Sequence, residues 1–211
     1  MKPSLPKIRL MIVDDHFFVR MGLAASVRPE SDIEVVAEAS GVEEAVRIYS
    51  LAKPDVVLLD CHLSDGEGIE VLRRILSSRQ DAHIVMLSVD DSEESVFRAM
   101  DSGAASYLSK SAPLDELLLA IREAYHGRTY LPDTILETLN RRTARPELSE
   151  REMQVLNLVA HGQPNKIIAA ELGIAEMTVK IHLTKIFGKL GVQDRTSATT
   201  TALRTGLVRL E

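Results

Sequence analysis

Five residues whose side chains could act together on a phosphoryl group fall at one kind of place in this sequence, just beyond short apolar runs. Asp14 and Asp15 follow Ile8–Val13, and Asp60 follows Asp55–Leu59. Ser88 follows His83–Leu87, and Lys110 lies just past Ala104–Leu108. If those runs are strands of one parallel sheet, all five side chains meet at its carboxyl edge, where open α/β sheets take their ligands. Three carboxylates brought together repel strongly once partly desolvated. A raised pKa or a bound cation relieves that repulsion. An all-oxygen donor set suits Mg2+, which keeps some waters and can bridge to a phosphoryl oxygen. Lys110 and Ser88 suit the remaining phosphoryl oxygens. The chemistry this points to is attack by one carboxylate on phosphorus, giving an aspartyl phosphate. A single Asp at a strand end is more simply a solvated turn residue, but a matching set at the ends of four strands is not.

The elements that must position these groups are legible in the spacing. The apolar runs Ile8–Val13, Ile33–Glu38, Asp55–Leu59, His83–Leu87 and Ala104–Leu108 are short and rich in β-branched residues. Between them apolar residues recur at helical spacing, as in Val42, Ala45, Val46 and Tyr49, and again in Leu114, Leu117, Leu118 and Ile121. Strands alternating with helices predict βαβ units and a parallel sheet. Unbroken runs such as Val56-Val57-Leu58-Leu59 suit strands covered on both faces. The fold class expected for residues 1–127 is therefore α/β, a doubly wound five-stranded parallel sheet. Residues 128–146, bracketed by Pro132 and Pro146, read as a linker with a short helix. From residue 147 to 211 no strand pattern remains, and a small all-α domain is expected.

Composition narrows the function classes. Of 211 residues 45% are hydrophobic and one is cysteine. That leaves ample material for a core and excludes both an internal disulfide framework and a multi-cysteine zinc site. No apolar run approaches the roughly 20 residues of a membrane span, and the first residues lack a signal-peptide core. A cytoplasmic setting is expected. Residues 1–130 carry 14 Lys and Arg against 22 Asp and Glu, whereas residues 146–211 carry 8 against 7. Nucleic-acid binding must therefore rest on where charge is placed, not on its amount.

Within the back end, Ser149 with Glu152 reads as a capping box opening a helix with Met153, Leu156, Val159 and Ala160 inward. A second helix is expected over about 165–172 and a third over about 176–190. The turn Gly173-Ile174-Ala175 between them is a helix-turn-helix signature. Val179, Leu183, Ile186 and Leu190 form the inward stripe of the third helix, which puts Ile181 outward beside Lys180, Thr184 and Lys185. From Met177 to Leu190 there are three lysines and no acids. Such a helix fits the major groove, with Lys180 on a guanine edge, Ile181 on a thymine methyl, and Thr184 and Lys185 on phosphate or base. The plainer alternative is a solvated lysine face, against which the exposed Ile181 and the tight turn both argue.

Ile12-Val13-Asp14-Asp15-His16, Val56 to Asp60, Met86-Leu87-Ser88 and Gly103 to Lys110 together resemble the flavodoxin-like receiver domain of two-component response regulators, over about residues 7–127. Leu148 to Glu152, Asn165-Lys166, Leu172-Gly173-Ile174, Thr178-Val179-Lys180 and Lys189 to Val192 resemble a LuxR-type helix-turn-helix, over about 147–211. The pair is similar to the NarL/FixJ subfamily. The resemblance implies Asp60 as phosphoacceptor and a Mg2+ ion held by Asp14, Asp15, Asp60 and the backbone carbonyl of His62. It implies Ser88 and Lys110 at the phosphoryl group, Tyr107 as a switch aromatic, and Asp90 and His62 as tuners of phosphate lifetime. It adds Thr178 to the DNA-contacting set. The partners implied are a sensor histidine kinase, a two-fold double-stranded DNA site and RNA polymerase. An active homodimer is implied as well, with residues 196–207 as its candidate helix or, more plainly, as domain packing. Membrane and enzyme roles are not implied.

The sequence departs from the family pattern at several positions. Ser64 stands where proline is usual and Gly66 and Gly68 flank Glu67, so the loop 61–68 is expected to be more mobile than usual. Ser111 follows Lys110 in place of proline. Pro164 and Ala175 replace the usual caps of the second and third helices, and Ile167 replaces a Glu. His16 and His62 are expected to be exposed or to pack against loops, Cys61 to be partly buried and unreactive, and His182 to pack. Two other functions fit parts of this pattern. One is a DNA-binding regulator whose receiver is only a dimer scaffold. The other is a hydrolase using an aspartyl phosphate, which would want an acid where His62 stands.

Overall fold

The computed structural model describes residues 6–144 and 146–208. The chain divides into two compact units near residue 137, with Ser92–Ser95 grouped with the second.

In the first unit the strands are β1 (Ile8–Val13), β2 (Ile33–Ala39), β3 (Val56–Asp60), the short pair β4 (His62–Leu63) and β5 (Gly66–Glu67), β6 (His83–Ser88) and β7 (Ser106–Ser109). Five of them form one sheet in the order β2-β1-β3-β6-β7, every pairing parallel. The helices are α1 (Phe17–Val27), α2 (Val42–Ala52), α3 (Gly68–Ser78), α4 (Glu93–Asp101) and α5 (Leu114–Tyr125). This is the doubly wound sheet expected from the alternation of periods. The central strand β3 is buried along its whole length, as an unbroken apolar run between two helical layers must be. One layer of the core joins Leu10, Ile12, Leu58, Val85 and Leu108 to Leu117, Ala120, Ile121 and Ala124 of α5. Leu114 departs from the expected inward stripe. It opens α5 and is exposed.

The loop after Asp60 also departs from expectation. It is tied down rather than loose. β4 pairs with β5 in antiparallel register, His62 to Glu67 and Leu63 to Gly66. The Gly68 amide donates to the Cys61 carbonyl at 2.9 Å. Asp65 accepts the Val42 amide at 2.9 Å, capping α2 where Gly41 has no side chain to do so. The Glu67 carboxylate pairs with Arg98 at 2.9 Å. Gly68 is required by space: a methyl there would lie 1.9 Å from the Asp60 carbonyl oxygen. The glycines that suggested mobility instead let two backbones meet.

A helix α6 (Asp133–Thr143) spans the division, and the second unit goes on with α7 (Glu150–Ala160), α8 (Asn165–Leu172), α9 (Glu176–Leu190) and α10 (Arg195–Arg204). Its core gathers Val155, Leu156, Ile168, Val179, Leu183, Ile186, Ala198 and Ala202. The capping box forms as read: the Glu152 amide donates to Ser149 Oγ and the Ser149 amide to Glu152 Oε2. Gly173 takes φ +64°, a left-handed turn that ends α8 and redirects the chain into α9. Pro164 gives α8 no side-chain cap, and Asn165 does not supply one either. Arg195 reaches the segment instead, donating to the Gln163 carbonyl and to Asn165 Oδ1. Ala198 and Ala202 turn into the unit's own core. Of the two readings of this segment, domain packing is the one these alanines serve. No helix among the described residues is long and apolar enough to cross a membrane.

Candidate functional site

The carboxyl ends of β1, β3 and β7 bring Asp14, Asp15, Asp60 and Lys110 together. Parallel pairing of β1 with β3, of β3 with β6 and of β6 with β7 sets those ends along one edge. Asp14 and Asp60 are buried. Lys110 Nζ lies 2.7 Å from Asp14 Oδ2 and 2.6 Å from Asp60 Oδ2, donating to both. The remaining oxygens are held by backbone: the His16 amide donates to Asp14 Oδ1 at 2.8 Å and the His62 amide to Asp60 Oδ1 at 3.2 Å. Each of Asp14, Asp15, His16 and Asp60 offers one donor atom within 4.8 Å of the others.

The electrostatics leave this site short of positive charge. Burial pushes the Asp60 carboxyl above its ordinary range, and the hydrogen bond from Lys110 offsets this only in part. Burial alone would depress the Lys110 ammonium, but the bonds to Asp14 and Asp60 outweigh it and raise its pKa. One ammonium among three carboxylates leaves two formal negative charges, which one divalent cation neutralises. Asp15 Oδ1 is buried and makes no hydrogen bond, and the His16 ring nitrogen lies 2.7 Å from it. A hard-oxygen set with an unsatisfied buried carboxylate oxygen fits Mg2+.

The other receiver residues lie around this cluster. Ser88 is fully buried at the end of β6, its Oγ accepting the Asp90 amide at 2.9 Å and its carbonyl accepting the Lys110 amide at 2.7 Å. Tyr107 is fully buried, its hydroxyl donating to the Asp90 carbonyl. The His62 backbone reaches the acids through its amide, on Asp60 Oδ1. The His16 side chain is 68% exposed, as read, yet its ring folds back toward Asp15, a placement sequence alone does not give. Cys61 is partly buried, which pushes its thiol up to about 11 and keeps it protonated at neutral pH. The Lys110–Ser111 peptide is trans.

In the second unit, α9 presents Lys180, Ile181, Thr184 and Lys185 to solvent, while Thr178 is half-buried. Lys180 lies 4.0 Å from Glu176 one turn back, and Thr184 Oγ1 donates to the Lys180 carbonyl. Ala175 supplies no side-chain cap. The third lysine of the helix is not on this face. Lys189 Nζ donates to the buried Glu152 carboxylate at 2.7 Å and to the Glu147 carbonyl at 2.8 Å. Counting lysines along the helix misses this, although the buried end of a capping box is a place to look for a cation. His182 is half-buried, with Nδ1 lacking a hydrogen-bond partner.

Comparison with known proteins places both units. The response regulator receiver domain family matches residues 10–122, and the luxR family of bacterial regulatory proteins matches residues 146–202. The transcriptional regulatory protein LiaR of Bacillus subtilis is 39% identical over 209 residues, spanning 95% of this chain and 99% of LiaR. This chain belongs to the NarL/LuxR family of two-component response regulators. The response regulator protein VraR of Staphylococcus epidermidis is 35% identical to it over 207 residues, 96% of this chain and 99% of VraR. Among solved structures, the response regulator ChrA of a heme-sensing two-component system is 36% identical over 96% of this response regulator and 100% of ChrA, with a TM-score of 0.57. The RcsB–DNA complex shares the fold, with a TM-score of 0.73 at 21% identity over 92% of this chain and 97% of RcsB. Receiver domains of this family bind Mg2+ at an acidic cluster, here Asp14, Asp15 and Asp60. Its members are transcription regulators that pair with sensor kinases and bind DNA.

Proposed function

We propose that this response regulator accepts a phosphoryl group on Asp60 from a sensor histidine kinase, and that the phosphorylated form binds a two-fold DNA site as a homodimer to regulate transcription. The observation that carries this reading is the bridge of Lys110 Nζ between the buried Asp14 and Asp60 carboxylates, beside the unsatisfied Asp15. Asp14, Asp15, Asp60 and the carbonyl of His62 would hold Mg2+, which neutralises charge on the phosphoryl oxygens when bound. An Asp60 carboxylate oxygen attacks phosphorus, the P–N bond of the donor phosphohistidine breaks, and its electron pair stays on the imidazole. The Lys110 ammonium, held in place by two carboxylates, is positioned to shift from Asp60 onto the new phosphoryl oxygens. Ser88 exchanges the Asp90 amide for the same group. Tyr107 follows through its bond to the Asp90 carbonyl, which links the pocket to the loop before α4. Residues 1–127 form the receiver, 128–146 the linker and 147–211 the DNA-binding domain, in which Thr178, Lys180, Ile181, Thr184 and Lys185 of α9 meet DNA. The protein works in the cytoplasm, and RNA polymerase is its further partner.

Intact mass after incubation with Mg2+ and a small acyl phosphate tests the first step. One phosphoryl adduct is expected, absent in Asp60→Asn. DNA binding measured on the same samples tests the second. Equal binding in both would leave the receiver as a scaffold and overturn phosphorylation control.

A further inference from the structure

Met177 is 65% exposed on the first turn of α9, and Ile181, one turn on, is 51% exposed. Neither packs into the core of the unit. Taking Met177 as the origin, at about 100° per residue, Ile181 falls near 40°, Thr184 near 340°, Lys180 near 300° and Lys185 near 80°. Met177 therefore lies at the centre of the arc that presents the other four to solvent. It also lies nearest the N-terminal end, which in a helix-turn-helix meets the base edges. A solvated helix face would carry polar residues here. This one carries two large apolar side chains flanked by Lys180 and Lys185.

We propose that Met177 is a specificity-determining residue of this response regulator, pairing with Ile181 to read a second 5-methyl group in the major groove. The inference rests on the DNA-binding reading of α9. The occupant follows from chemistry. Flanking lysines favour a polyanion, and thymine C5-methyl is the apolar group that the major groove offers. Side chains four residues apart stand about 6 Å apart along the helix, so the two methyls lie within about two base pairs of one another.

The test selects DNA from a random double-stranded pool with the full chain, in the presence of Mg2+ and a small acyl phosphate. Each thymine of the enriched half-site is then replaced by deoxyuridine, which removes only the methyl. Two methyl-sensitive positions are expected, each losing about fourfold in affinity. In Met177→Ala one of these penalties disappears and the other stays. In Ile181→Ala the pattern is reversed, and Met177→Leu retains both. Met177 is exposed and Ala is a good helix former, so the variant folds, as circular dichroism will check. Selection of a half-site with identical deoxyuridine penalties in wild type and Met177→Ala overturns the role of Met177 and leaves DNA binding intact. Failure of the wild type to select any sequence overturns the DNA-binding reading and this inference with it.

Discussion

The acid pocket and the outer face of α9 are built on opposite principles. In the pocket, Asp15 apart, each group is held by another: Lys110 by two carboxylates, those carboxylates by the His16 and His62 amides, Ser88 by the Asp90 amide. On α9 the side chains stand free in solvent, one lysine leaning toward Glu176 and one threonine satisfied by its own helix. Phosphoryl transfer needs a preorganised site, where charge is already placed before the reaction. Reading DNA needs side chains that order only against bases. Substitutions should therefore act steeply and jointly in the pocket, and shallowly and separately on α9.

The steepest effect is expected at Gly68, where the pocket meets its loop. A methyl would collide with the Asp60 carbonyl at 1.9 Å, and that oxygen is backbone and cannot swing aside. Gly68→Ala should cost about 3 kcal/mol or more and abolish the phosphoryl adduct, read by thermal melting and intact mass. A variant that melts with the wild type and still forms the adduct would show the loop to be as loose as its glycines suggest from sequence.

That case marks how far the sequence carries. The parallel sheet, the acid set and the lysine were all legible, because short apolar runs mark where strands end and the chemistry of like charges leaves few options. The β4–β5 hairpin was not. Glycine is read from sequence as freedom, whereas here Gly68 is a close approach that only the folded backbone reveals. On α9 the inward stripe and the exposed Ile181 were legible from the wheel. The diversion of Lys189 to Glu152 was not, since the two lie 37 positions apart and meet only through tertiary packing.

Next in size is Lys110. In Lys110→Met the stem length is kept and the charge removed, leaving two buried carboxylates facing each other. Breaking such a pair is strongly destabilising, here about 2–3 kcal/mol after allowing for partial exposure of the amine. Mg2+ should then raise the melting temperature more in Lys110→Met than in wild type, since the cation replaces the missing charge. Equal Mg2+ shifts would place the ion outside the reach of these carboxylates and break the contrast between the two regions.

The Glu152–Lys189 pair is the pocket's counterpart within the helical unit, a buried carboxylate held by an ammonium, and it should behave like the pocket rather than like the outer face of α9. The hydrogen bond from Lys189 holds the Glu152 carboxyl below its usual range, against the opposing effect of burial. The folded unit thus binds fewer protons there than the unfolded chain. The stabilisation is present above the ordinary glutamate value of about 4.3 and is lost as pH falls through the lowered folded value. Glu152→Gln should lose about 1.5 kcal/mol at neutral pH. The gap between variant and wild type should stay constant down to about pH 4.3 and close below it. A gap that persists to pH 3 would mean that the charge Lys189 meets on Glu152 is not what stabilises the unit, since glutamine keeps the cap.

The smallest effect is expected from restoring what α9 lacks. Ala175 leaves the first amides of the helix without a side-chain acceptor. In Ala175→Ser the hydroxyl would accept from the second or third amide and stabilise the unit by about 1 kcal/mol, seen as a small rise in melting temperature. DNA affinity should change less than twofold, because the new contact lies inside the helix end and adds nothing to the arc of Met177, Lys180, Ile181, Thr184 and Lys185. If affinity instead rises with stability, fraying of the first turn limits binding, and the free side chains of α9 are coupled through their backbone. The reading face would then share the joint behaviour of the pocket, and the contrast between the regions would be one of degree.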